Sequence, residues 1–138
     1  MKKLYIVLLS IGINTVVLAN DLSGKYLCNG YDSKDGVTSG LSVTLKSDIK
    51  NSDITHGYVS YVFNLKEGEV EFKGSAVSSG NTLAISFNNV KNKTDHGVGL
   101  ANVSYDFDNK GNIIATKFTK FYYEPEYVSH GIETCVKQ

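Results

Sequence analysis

The sequence predicts an all-β protein, an eight-stranded antiparallel up-and-down barrel closed by a disulfide between its first and last strands. Three observations predict it. Apolar residues recur at period two in eight separate segments, which is the mark of half-buried strands. Short turn sequences join most of these segments, so neighbours in sequence are expected to pair. The only two cysteines, Cys28 and Cys135, fall in the first and last segments. A meander has two unpaired edges, and closure into a barrel removes them. Closure also makes the first and last strands neighbours, so a Cys28–Cys135 bridge would staple the seam.

The elements follow in chain order. "GKYLCNG" sets Tyr26 and Cys28 on one face. "VTSGLSVTLK" sets Leu41, Val43 and Leu45 against Ser42, Thr44 and Lys46. "GYVSYVFNL" aligns Val59, Tyr61, Phe63 and Leu65. "EVEFKGSAV" aligns Val70, Phe72, Gly74 and Ala76, and "NTLAISF" aligns Leu83, Ile85 and Phe87. "VGLANVSYDF" offers Ala101, Val103, Tyr105 and Phe107 as its inner face. "NIIATKFTKFYY" is apolar on parts of both faces, and "GIETCVK" closes the chain. Lys66-Glu67-Gly68, Ser79-Gly80-Asn81 and Asp108-Asn109-Lys110-Gly111 are hairpin-length turns. "DSKDG", "NKTDHG" and "EPEYVSHG", the last with the only proline, Pro125, are longer polar connections. No stretch carries a sustained helical period with caps.

The N-terminus sets the compartment. Lys2 and Lys3 precede an apolar run from Leu4 to Leu18, and Val17 and Ala19 are small residues placed for a cut after Ala19. Residues 1–19 are therefore expected to be a bacterial-type signal peptide. The run is short and interrupted by Asn14, so a signal peptide is expected rather than the alternative, a membrane anchor. Residues 20–138 form one β-barrel domain, with no linker or change of composition to divide it. Localisation is expected to be secreted, periplasmic or extracellular. The chain has no arginine and, beyond Lys2 and Lys3, is slightly acidic, which excludes a basic nucleic-acid surface. In an oxidising compartment two cysteines pair. The same setting opposes the alternative reading of Cys135, as a reduced nucleophile with His130 as its base.

Gly24-Lys25-Tyr26 in "SGKY" resembles the lipocalin opening Gly-x-Trp, with tyrosine in place of tryptophan. With the strand pattern from Gly24 to Lys137, the domain resembles the lipocalin and avidin-like (calycin-type) group of small secreted barrels. A lipocalin-like fold implies eight strands around an interior that side chains fill or one small ligand occupies. It transfers no ligand residue to this chain. The placement of the cysteines is similar to that in periplasmic lysozyme inhibitors, small barrels of which some join a first-strand cysteine to one near the C-terminus.

Chemistry-bearing residues are few. Three histidines precede glycines, at His56, His96 and His130. Meander topology sends His56 to one end of the barrel and His96 and His130 to the other. Only a rim site built from His96, His130 and Asp95 is conceivable, and no metal is expected. Glu133 shares a face with Cys135 by period two; inward, it needs a buried partner. No second carboxylate supports a glycosidase pair. There is no phosphate loop and no Cys-x-x-Cys motif. The expected function is non-enzymatic and needs no cofactor: binding of an unknown small ligand in the barrel. Tyr61, Tyr105 and Glu133 are the candidate contacts, with Gly74, Ala76 and Ala101 leaving room. The alternative is a protein-interaction or inhibitor domain that meets a secreted protein partner through loops and rim. For that reading Tyr122, Tyr123 and Tyr127 of "FYYEPEY" are the candidate surface. An interior packed with large apolar side chains favours the second reading.

Overall fold

The structure is a computed structural model that describes residues 20–138; the expected signal peptide lies outside the described residues. Eight strands run in chain order: β1 (Gly24–Asp32), β2 (Gly36–Ser47), β3 (Tyr58–Glu67), β4 (Val70–Ser79), β5 (Thr82–Asn89), β6 (His96–Phe107), β7 (Ile113–Glu124) and β8 (Ser129–Lys137). Each pairs antiparallel with the next, and β8 returns to β1, so the sheet is a closed up-and-down barrel. Cys28 stands directly opposite Cys135 across the β1–β8 seam, and the two are bridged. The expected fold and its clasp are both present.

The inner face is the period-two set. Tyr26, Cys28, Val43, Leu45, Tyr61, Phe63, Leu83, Phe87 and Phe118 are all essentially inaccessible and form one core. Aromatic rings bridge its layers. Tyr26 and Phe118 have centroids 4.8 Å apart, and the Phe72 ring meets Phe87 edge-on at 5.6 Å. Five large aromatic side chains, Tyr26, Tyr61, Phe63, Phe87 and Phe118, therefore occupy the lumen, and side chains fill it.

Odd strands end, and even strands begin, at one opening, called here the upper mouth. At the lower mouth residues 20–23 fold across the opening. Leu22 is buried, its N–H donates to Tyr61 Oη at 3.2 Å, and Tyr26 Oη donates to the Leu22 carbonyl at 2.7 Å. This segment plugs the barrel from below. Between β2 and β3 run two single 3-10 turns, Ile49–Asn51 and Ile54–His56; Asp53 caps the second by accepting from the His56 N–H.

Two expectations about facing are corrected. Phe107 is exposed rather than inward. The last inward step of β6 pairs only with β7, and β7 starts to pair with β8 only at Lys117. The β6–β7 hairpin thus projects beyond its neighbours, and its register shifts by one residue between Asp106 and Phe107. Val70 is also exposed, because it closes the β3–β4 hairpin beyond the packed interior.

Candidate functional site

The sequence marks inward residues by alternation and leaves the outer face to be polar. On one side of this barrel the outer face is apolar too. Val77 pairs with Ala84, Ala84 with Leu100, Leu100 with Phe121, Phe121 with Ile132, and Ile132 with Tyr31 across the seam. These are direct cross-strand neighbours, so a single register builds one apolar row across six strands. Leu100 is 60% exposed and Phe121 50%. A second row, Val98 beside Tyr123, lies just above. A shallow cleft of about 500 Å³ runs along them, lined by Ala84, Val98, Leu100, Phe121 and Tyr123 among others. Below His96 and His130, and above Asp106 and Lys117, the outward positions of β5–β8 carry no charge. An apolar patch of this continuity is a common mark of an interaction surface.

Inside the barrel one ion pair is sealed from water. Lys120 on β7 and Glu133 on β8 are direct cross-strand partners, 1% and 2% exposed. Lys120 Nζ lies 2.8 Å from Glu133 Oε2, close but off the axis of a hydrogen bond. The ammonium also stands 4.8 Å from the Tyr122 ring centroid, 5.7 Å from that of Phe87 and 6.0 Å from that of Phe63. Gly30 makes room for the glutamate: a Cβ there would strike the Glu133 backbone and its Cγ, at 2.7 and 2.8 Å. Glu133 therefore points inward, and its partner is a lysine.

The upper mouth gathers carboxylates. Asp32 ends β1, Glu67 ends β3, Glu124 ends β7, and Asp95 sits just before β6. Asp32, Asp95 and Glu124 continue the inward alternation of Tyr26, Gly97 and Phe118, while Glu67 follows that of Leu65 but is exposed at the rim. Asp32 is fully engaged. Its Oδ2 accepts from Tyr122 Oη at 2.8 Å and Ser129 Oγ at 2.7 Å, and its Oδ1 accepts the N–H groups of Lys34 and Asp35. Burial works to raise its pKa. The hydrogen bonds from Ser129, Lys34, Tyr122 and Asp35 outweigh that and hold it below the usual value. Glu124 behaves in the opposite way. Desolvation first, then the charges of Asp95 and Asp32, push its carboxyl up to about 7. Desolvation and the charge of Glu133 also push Glu67 up.

The residues singled out in the sequence are placed as follows. Tyr61 and Tyr105 lie toward the lower mouth, where Tyr26 feels both. Glu133 lies with Tyr122 toward the upper one. The three candidate ligand contacts are thus divided between the two ends. Tyr122 turns inward to Asp32, Tyr123 belongs to the outer apolar face, and Tyr127 sits on the rim with Lys34 Nζ 5.0 Å over its ring. His56 pairs with Asp53 at the lower end, Nδ1 to Oδ2 2.7 Å. At the upper end His96 and His130 face outward on β6 and β8 while Asp95 faces inward, so the conceivable rim site is not assembled. Among the described residues, Cys28, Glu133 and Cys135 bring potential metal-binding atoms together, but the two sulfurs are bonded to each other and offer no thiolate. The outer apolar row was missed in the sequence. Its only linear signal is Val77, Leu100, Phe121 and Ile132 at positions where alternation calls for polar residues.

The fold and clasp define a closed eight-stranded antiparallel barrel, consistent with a calycin-like architecture. Comparison with protein-family models, with curated proteins and with solved structures finds no match in any of the three.

Proposed function

We propose that the chain is a non-enzymatic protein-interaction domain of an oxidising compartment, and that it meets its partner through the apolar outer face of β5–β8. The observation that carries this reading is the in-register row from Val77 to Tyr31, uncharged across four strands and grooved at Leu100 and Phe121. Aromatic and aliphatic residues held on a rigid sheet lose little entropy on docking, which suits them to anchor a partner. The bridged cysteines favour secretion to the periplasm or beyond. Exposed lysines and carboxylates elsewhere on the exterior, with a lumen filled mainly by apolar side chains, reverse the pattern of a membrane-spanning barrel.

A small ligand in the lumen is the competing reading. It would have to displace rings such as Phe63 or Phe118, which already pack there. The test is site-specific photo-crosslinking in the native host, with the probe at Leu100 and, on the opposite side of the barrel, at Lys46. A discrete protein adduct from position 100 only, lost when Phe121→Asp is added, supports the outer-face reading. Equal labelling from both positions, or none from position 100, refutes it.

A further inference from the structure

We propose that the upper mouth binds an organic cation, an ammonium or guanidinium group, between Asp95 and Glu124. This goes beyond the outer-face reading and does not depend on it.

The β6–β7 register ends with Val98 opposite Tyr123; continued one step it would set Gly97 opposite Glu124, and the Glu124 carboxyl feels the charge of Asp95. Asp95 is the next inward position beyond Gly97, so Asp95 and Glu124 are diagonal neighbours on the inner face. Gly97 sets no side chain between them. The ring of Phe87 lies against that glycine, where a Cβ would collide with it. The result is two carboxylates over an aromatic floor. Asp95 is 6% exposed, yet only one of its oxygens is engaged: Oδ2 accepts from Asn89 Nδ2 at 2.8 Å, while Oδ1 has no partner. A buried carboxylate oxygen left unpaired is costly, and a cation is the group that satisfies it.

The molecule already holds one cation in the same chemistry. Lys120 Nζ sits against Glu133 and the rings of Tyr122, Phe87 and Phe63. That pair is neutral as a unit, so Asp32, Glu67, Asp95 and Glu124 leave the mouth with excess negative charge. Besides the cysteine cluster, no three carboxylate or imidazole groups of the described residues converge tightly enough to enclose a bare metal ion. The wider spacing suits a planar guanidinium or an alkylammonium that reaches in on its stem.

Glu124 is faced by Asp95 before β6, Asp32 on β1, Glu133 on β8 and Lys120 on its own strand. A cation binds its ionised form. Affinity should therefore rise as pH passes upward through about 7.

The free-amine and protein-borne sources of this chemistry are separated by two probes. Spermidine and a blocked tetralysine peptide are titrated calorimetrically into the oxidised protein at fixed ionic strength. Saturable one-site binding of either is expected; the better binder shows which source the mouth serves. Asp95→Asn and Glu124→Gln should each weaken it about tenfold, as expected for loss of one charge-assisted contact. Asp106→Asn, at the opposite end of the barrel, makes the same change in net charge and should leave affinity unchanged. The proposal is overturned if neither probe saturates, or if Asp106→Asn weakens binding as much as Asp95→Asn does. Displacement of the amines by micromolar calcium would also overturn it, by making the mouth a metal site.

Discussion

Lys120→Met is the most informative single change. The lysine is 1% exposed and its partner Glu133 is 2% exposed, so solvent cannot replace the lost ammonium. Met keeps the length and apolar stem of lysine, and no large cavity opens between Phe63, Phe87 and Tyr122. What remains is a carboxylate sealed in the barrel. Removing one member of a buried pair typically costs about 3–5 kcal/mol. Gly30 and the β1 backbone crowd the glutamate, which prevents it from swinging out to water. Lys120→Met should therefore cost about 4 kcal/mol in urea unfolding at pH 7. Adding Glu133→Met removes the orphaned charge. The double variant should recover most of the loss, within about 1 kcal/mol of the parent or above it. A thermodynamic cycle over the four proteins gives the coupling. Additive effects, with the double variant worse than either single one, would refute the view that these two charges neutralise each other inside the barrel.

Three further outcomes follow from the same geometry. The folded-state pKa of Glu124 is raised from 4.5 to about 7, so ionising it opposes folding, and that penalty grows as pH rises through this window and is absent below it. Glu124→Gln should accordingly add about 1–2 kcal/mol at pH 8, after allowance for solvent screening at this half-buried site, and nothing at pH 4; thermal unfolding at both values checks it. Replacing Cys28 and Cys135 together by Ala frees a loop of sequence separation 107 and should cost about 4 kcal/mol, read as a lower urea midpoint that matches that of the reduced parent. Val128 holds φ at +48° in the β7–β8 turn, a left-handed conformation that β-branched residues resist, and it is solvent-exposed. Val128→Asn should stabilise by about 1 kcal/mol, visible as a rise in Tm, because Asn tolerates that conformation.

Much of the fold was legible in the chain. Leu41, Val43 and Leu45, or Leu83, Ile85 and Phe87, have no other way to hide together than on one face of a strand. Two cysteines at the ends of a meander make sense chiefly at a seam. Other features depend on register, which no single strand encodes. Glu133 reads as surface or core from "GIETC" alone; its partner, Lys120, is thirteen positions away by chain order in "KFTKFYY", recognisable only once β7 is aligned with β8. Asp32, Glu67, Asp95 and Glu124 each look like ordinary turn-flanking acids, and only closure of the barrel brings them to one mouth. The outer row fails in the same way, since Val77, Leu100, Phe121 and Ile132 each stand among polar neighbours. The projecting β6–β7 hairpin misled the assignment of Phe107 because alternation carries no information about where neighbouring strands stop.

The barrel is stapled at its seam and filled by its own side chains, and the recognition proposed for it is left to the outer face and the mouth. A native mass spectrum of the non-reduced protein, purified from its own host, tests it most directly. The predicted result is a mass two hydrogens below that of the reduced chain, with no apolar small molecule retained. A stoichiometric lipid-like adduct surviving purification would contradict the filled lumen, and two free thiols would contradict the seam.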